Sequence, residues 1–318
     1  MRPASRASGL AERARPGAVE TDTPARDILV SRFTSGMLSG SLPWLVTEGR
    51  QLLTVDGDAL VLRGVNLSGP RPGVVPLAIP ADWPLNVVRL MVSAEIDEAG
   101  MAALDAGVAA QAEAEAYTIL VTPVTALDDA PDAIEQLDIT SLLALAEHYA
   151  DEPAVLFEPI LPAVAAAGDS GETSVERDAR RMRSVLAPLR AVHPRALCLA
   201  PAPAGGLPLV SDGRRIPNLL YTLPARSDAA SPGLGQNIGS ALLPRFVADW
   251  RLSLAHGLGD EALLCRLAAA GIGWAANAGA PDWQRMNRGG AEPTAAGRWL
   301  LRALTLAAAW DPAPARAA

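Results

Sequence analysis

The chain has 318 residues, half of them hydrophobic, with a formal charge of −8 and a pI near 5.0. That apolar content suffices for a large core, and the acidic balance excludes a surface built to wrap DNA or RNA. All 27 basic residues are Arg, which with the abundance of Ala, Gly and Pro reads as compositional bias rather than mechanism.

Residues 1–36 are rich in Arg, Ala, Ser and Pro and lack apolar periodicity, so an extended or disordered arm is expected there. Residues 37–318 are expected to form one domain. The N-terminus lacks the apolar stretch of a secretory signal, and no run is long enough for a transmembrane helix, so a soluble chain, or one peripheral on a membrane assembly, is expected. From Trp44 onward strand-like and helix-like runs alternate. Leu60–Val65 and Val87–Val92 read as strands, and Met101–Ala116 as a helix. Ile119–Val121 is a short apolar strand, Ile139–Tyr149 a helix, and Ala154–Phe157 a strand. Val175–Val192 is a long helix with Arg on its wet face. Strands follow at Ala196–Ala200, Leu219–Leu223 and Phe246–Ala248. A helix over Glu261–Ala270 ends at Gly271, a strand covers Ile272–Ala275, and Ala295–Ala309 is a closing helix. Between them, 227–243 is rich in Gly, Pro and Ser and reads as a long loop. Continuous apolar strands alternating with amphipathic helices imply a parallel sheet covered on both faces. Eight such strands predict an α/β fold of the closed (β/α)8 kind.

Metal and nucleophile signals are sparse. Cys198 and Cys265 stand far apart in apolar segments, which predicts buried thiols rather than a disulfide or a metal site. Neither a cofactor nor a metal is expected. Gly233-Leu234-Gly235 has no strand–helix context, so it is no phosphate loop. His148 and His193 fall at helix ends away from the predicted rim. His256, seven residues after Asp249, makes only a weak pair with it. Trp44, Trp274, Trp299 and Trp310 have the spacing of packing positions, whereas Trp250 and Trp283 fall near the rim.

Leu52-Leu53-Thr54-Val55-Asp56-Gly57 and Leu60-Val61-Leu62-Arg63-Gly64-Val65-Asn66 resemble the leading hairpin and first barrel strand of the family 5 glycoside hydrolases, the cellulase-like barrels. Asn86-Val87-Val88-Arg89-Leu90 resembles that family's second strand, where an Arg is typical. The run from Leu145 through Phe157-Glu158 resembles the helix and fourth strand that lead to the catalytic acid, and Gly271-Ile272-Gly273-Trp274 the eighth strand. The likeness spans about residues 44 to 310.

The resemblance implies two facing carboxylates at the carboxyl-terminal rim, an acid/base and a nucleophile. Aligned without gaps from Glu158, the family's Asn-Glu-Pro falls on Leu161-Pro162-Ala163, and proline delivers no proton. The nucleophile position falls in Pro244-Arg245-Phe246-Val247-Ala248-Asp249-Trp250, where Asp249 keeps the charge on a shorter side chain. The family's His and Tyr positions fall on Pro123, Pro224 and Arg226, and its stacking Trp on Asn277. Asn66, Arg89, Trp250 and Asn277 remain as rim remnants. A competing alignment reads Phe157-Glu158-Pro159 as the degenerate motif, with Glu158 as acid and Asp249 as base or nucleophile.

These departures lead to the expectation of a pseudoenzyme: not an enzyme, but a structural or protein-interaction subunit of a larger assembly, extrinsic to a membrane complex, with other protein subunits as partners. A glycan-binding module without hydrolysis, and a residual β-glycosidase using Glu158 and Asp249, are the alternatives.

Overall fold

The computed structural model describes residues 42–67, 83–93, 95–126, 137–161, 174–201, 210–211, 214–223, 244–250, 267, 269–277 and 295–309. The expected N-terminal arm and the 227–243 loop lie outside these. A two-stranded antiparallel hairpin comes first: β1 (Leu45–Glu48) and β2 (Gln51–Thr54), turning at Gly49, whose φ is +57°. The barrel strands are β3 (Arg63–Leu67), β4 (Val87–Met91), β5 (Tyr117–Pro123), β8 (Val155–Ile160), β9 (Cys198–Pro201), β12 (Leu219–Leu223), β13 (Arg245–Trp250) and β14 (Gly273–Asn277). Two short antiparallel pairs lie outside the barrel: β6 (Thr125–Ala126) with β7 (Leu137–Asp138), and β10 (Val210–Ser211) with β11 (Arg214–Arg215). Helices α1 (Glu98–Glu113), α2 (Thr140–His148), α3 (Ser174–Val192) and α4 (Ala295–Ala309) are described. Among the described residues no helix is long and apolar enough to cross a membrane.

The eight strands form one closed parallel barrel, with β14 returning to pair with β3. All eight predicted strands are present, and the fold is the expected (β/α)8 barrel. The first strand begins three residues later than its apolar run, at Arg63. Leu60 is instead held by the hairpin, its amide donating to the Leu52 carbonyl at 2.9 Å.

The apolar runs are continuous because each strand buries both faces. Inside the barrel Leu62, Val87, Tyr117, Ile119, Val121, Leu156, Leu199, Leu220 and Phe246 pack as one cluster, joined at the bottom by Leu45 and Leu52 of the hairpin. Outside, Leu120, Val155, Phe157 and Tyr221 pack against Leu104 and Val108 of α1, Leu142 and Leu145 of α2, and Val185 and Leu189 of α3. A second outer cluster places Val65, Val247 and Trp274 against Leu300 and Leu304 of α4. Burial on this scale, at about 25 cal/mol per Å², is the main favourable term in the fold.

Close approach explains one glycine. A Cβ on Gly64 would lie 1.6 Å from the Val87 carbonyl oxygen on the neighbouring strand, so only glycine fits there. Polar contacts fix the element ends. Asp97 caps α1, its carboxylate accepting from the Gly100 amide at 2.8 Å. Asn218, in the left-handed region at φ 53°, donates to the Arg195 and Ala196 carbonyls at 3.0 and 3.2 Å. Arg190 donates to the Ala196, Pro217 and Asn218 carbonyls, tying the end of α3 to the starts of β9 and β12. Arg63 donates to the Ala307 carbonyl at the end of α4, where a cation complements the helix dipole.

The hairpin closes the amino-terminal end of the barrel. The Tyr117 hydroxyl, inside the bottom, donates to the Pro43 carbonyl at 2.8 Å, and burial holds its pKa above the ordinary phenol value. Beside it, His193 is 1% exposed and makes edge-on ring contacts with both Trp44 and Phe157 at 5.7 Å. Burial, then the nearby Arg190 and Arg195 guanidiniums, push its pKa down to about 4, opposed by Asp151. The Arg195 guanidinium stands 5.3 Å from the Trp44 ring centre.

Candidate functional site

Strand parity and register determine which residues reach the other end. Val87 is interior, so Arg89 and Met91 share its face. Leu156 is interior, so Glu158 and Ile160 do too. Arg89 and Glu158 are 6% and 5% exposed, and they meet across the barrel strand between them. Arg89 Nε donates to Glu158 Oε2 at 2.6 Å, and Nη2 to Oε1 at 2.9 Å. This is a bidentate guanidinium–carboxylate pair in a desolvated place, where removing one partner typically costs about 3–5 kcal/mol. Val121 lies in register with Glu158, and Asn66 with Arg89. Asn66 is 8% exposed and pairs in register with Asn277 of β14. A polar belt thus runs Asn66, Arg89, Glu158 at the carboxyl-terminal level of the barrel. Thr222, on the interior face of β12, joins this level and is buried. It was not singled out in the sequence, because a lone Thr in an apolar strand looks like packing.

Asp249 lies near the end of β13. Between Val247, in register with Trp274, and Trp250, in register with Ala276, that strand carries one residue more than its neighbour. The bulge sets Ala248 and Asp249 together against Ala275, a residue of the interior cluster. Bulges of this kind re-aim side chains and occur beside active sites. Trp250 is placed at the rim by register alone. Pro162, Pro224, Arg226, His256, Trp283, Trp310 and Cys265 lie outside the described residues.

The remaining sequence candidates lie elsewhere. Pro123 ends β5 at the mouth. His148 ends α2 on the outer helical layer, its Nε2 2.8 Å from Asp105 Oδ1, which also accepts from the Tyr149 hydroxyl at 2.7 Å. His193 belongs to the closed end. Cys198 is buried, and its burial raises its pKa. Among the described residues no cluster of His, Cys, Asp and Glu is arranged to hold a metal. A small recess lies at the hairpin end, lined by Leu52, Leu62, Phe246 and Gly273 with Arg50 as its one charged group. It is at the wrong end of the barrel for this chemistry.

The fold matches solved structures, while no protein-family model and no curated protein matches the chain. A structure named cellulase Cel5C_n superposes with a TM-score of 0.60 at 16% identity, covering 86% of this chain and 95% of that one. The β-glucanase SdGluc5_26A from Saccharophagus degradans superposes at 0.61 with 13% identity, over 84% and 94%. The catalytic domain of the Thermobifida fusca endoglucanase Cel5A superposes at 0.57 with 15% identity, over 87% and 99%. The chain therefore has the barrel of family 5 cellulases.

These neighbours overturn the expectation of a non-enzyme, since the structures that share the barrel are hydrolases. That expectation rested on aligning rim residues without gaps. In β13 one residue more than in its neighbour shifts the register, and such a shift changes which side chain the end of that strand presents.

Proposed function

We propose that this chain acts on β-linked glycans at the carboxyl-terminal mouth of its barrel, with Asp249 as the working carboxylate. The observation that carries this is the contrast between the two carboxylates. Both oxygens of Glu158 are occupied by Arg89, whereas Asp249 stands at a bulge opposite an interior position. The endoglucanase and glucanase names of the fold neighbours supply the substrate class.

In this mechanism Glu158 is a positioning residue. It holds Arg89 in one orientation and forms with it a charged floor beneath the mouth. Asp249 is the group that attacks, or activates water against, the anomeric carbon. Arg89 engages both oxygens of Glu158, so that carboxylate is not free to protonate the leaving group. Substrates whose leaving groups depart without a proton are then cleaved best.

Dinitrophenyl β-cellobioside tests this, because its phenolate leaves unassisted. Release of dinitrophenol is expected from the wild-type chain, with a loss of about 100-fold or more in Asp249→Ala. Glu158→Gln, which leaves Arg89 without its counter-charge, should melt earlier and lower the rate less than Asp249→Ala does. Absence of cleavage by the wild-type chain, or equal rates with Asp249→Ala, overturns the proposal.

A further inference from the structure

One layer above the Arg89–Glu158 pair, the interior faces of three adjacent strands carry Met91, Pro123 and Ile160. Alternation along each strand fixes this: Arg89 is followed on its face by Met91, Val121 by Pro123, and Glu158 by Ile160, with Met91 in register with Val121 and Pro123 with Ile160. Met91 is 42% exposed and Ile160 37% exposed, two of the three large hydrophobic side chains that are exposed among the described residues. Val192, the third, lies at the end of α3. Pro123 is half-buried between the first two. The mouth is therefore two-sided. Over β4, β5 and β8 its lip is apolar and open to water. Over β3 the buried Asn66 is in register with Arg89 on one side and with Asn277 of β14 on the other.

A wet sugar cleft has no use for an unbranched thioether and a branched alkyl group facing solvent. An exposed apolar lip joined to a polar floor suits a ligand that is itself polar at one end and apolar at the other. We infer that the substrates of this site are glycosides carrying an apolar aglycone, an alkyl or acyl chain, which lies on Met91, Pro123 and Ile160 while the sugar occupies the polar side. The inference rests on the glycan-directed site proposed above and names its substrate class. The occupant is fixed by continuity: the apolar lip and the charged floor share the same strands, two positions apart.

Calorimetric titration of the full chain with methyl β-cellobioside and n-octyl β-cellobioside, the latter kept below its micellar concentration, tests it without requiring turnover. The octyl glycoside is expected to bind at least about tenfold more tightly, because each methylene removed from water contributes to affinity. Met91→Ser with Ile160→Ser should return the octyl affinity to that of the methyl glycoside and leave the methyl affinity unchanged. Both side chains are partly exposed, and an unshifted melting temperature checks that the fold is kept. Equal affinities for the two glycosides overturn the inference, as does an octyl advantage that survives the double substitution, or no binding of either glycoside. Dinitrophenyl cellobioside cleavage combined with equal affinities defeats the apolar lip alone. An octyl preference in a chain that cleaves nothing defeats the hydrolytic mechanism alone.

Discussion

At the scale of single residues, Arg89 and His193 show how burial assigns work. Arg89 was legible in the sequence as a rim remnant. Its partner was not, because Glu158 is 69 positions away and only the barrel register brings the two together. Asp249 was legible as a charge near the nucleophile position, but not the backbone bulge on which it falls. A one-residue insertion leaves no mark on an apolar pattern that short. His193 was legible only as a histidine at a helix end. Enclosed by two rings and two arginines, it stays neutral in the folded chain, with its pKa pushed down to about 4. The unfolded chain binds a proton near pH 6.5. The stabilisation is therefore complete above pH 6.5 and is lost as the pH falls towards 4, at no more than about 1.4 kcal/mol per pH unit. Urea unfolding across that window should show this slope, and His193→Gln should flatten it whatever its effect at neutral pH. An unchanged slope in the variant would assign the acid limb to other groups.

At the scale of elements, strand existence was readable because a parallel barrel strand is buried on both faces and so is apolar without interruption. The pairs β6–β7 and β10–β11 escaped notice because two-residue strands carry no period. Helix ends were partly readable. Gly271, at φ +66°, was expected to end a helix, and the Ile272 amide does donate back to the Leu267 carbonyl at 2.9 Å. The same closing bond ends α1, from the Ala116 amide to the Gln111 carbonyl at 2.9 Å, but there the left-handed position is Glu115, at φ 58°. Nothing in the sequence marks it, since a glutamate is an ordinary helix residue. A side chain in that conformation costs about 1 kcal/mol that glycine avoids. Glu115 is exposed, so Glu115→Gly should raise stability by about 0.5–1 kcal/mol, read as a higher urea midpoint with an unchanged slope.

For the whole molecule, the two ends of the barrel are built for different tasks. The amino-terminal end is sealed by the β1–β2 hairpin, whose Leu45 and Leu52 complete the interior cluster. The carboxyl-terminal end carries charge and amide groups. Leu45→Ala and Leu52→Ala are each expected to lower stability by about 2–4 kcal/mol, since the cavities open into a packed core. Unfolding should stay a single transition, because hairpin and barrel share one cluster. A separate early transition confined to the hairpin would show that it is only an accessory.

The β3–β14 pairing carries a consequence for how the chain is made. The strand that completes the cylinder is the last of the eight to leave the ribosome, and its hydrogen-bonding partner is the first. Until Gly273–Asn277 has emerged, β3 is an open edge flanked by apolar side chains, a template for mispairing with other nascent chains. Ring closure between such distant segments is slow. Production of this protein should therefore be limited by chaperone capacity and synthesis rate more than by the final stability of the barrel.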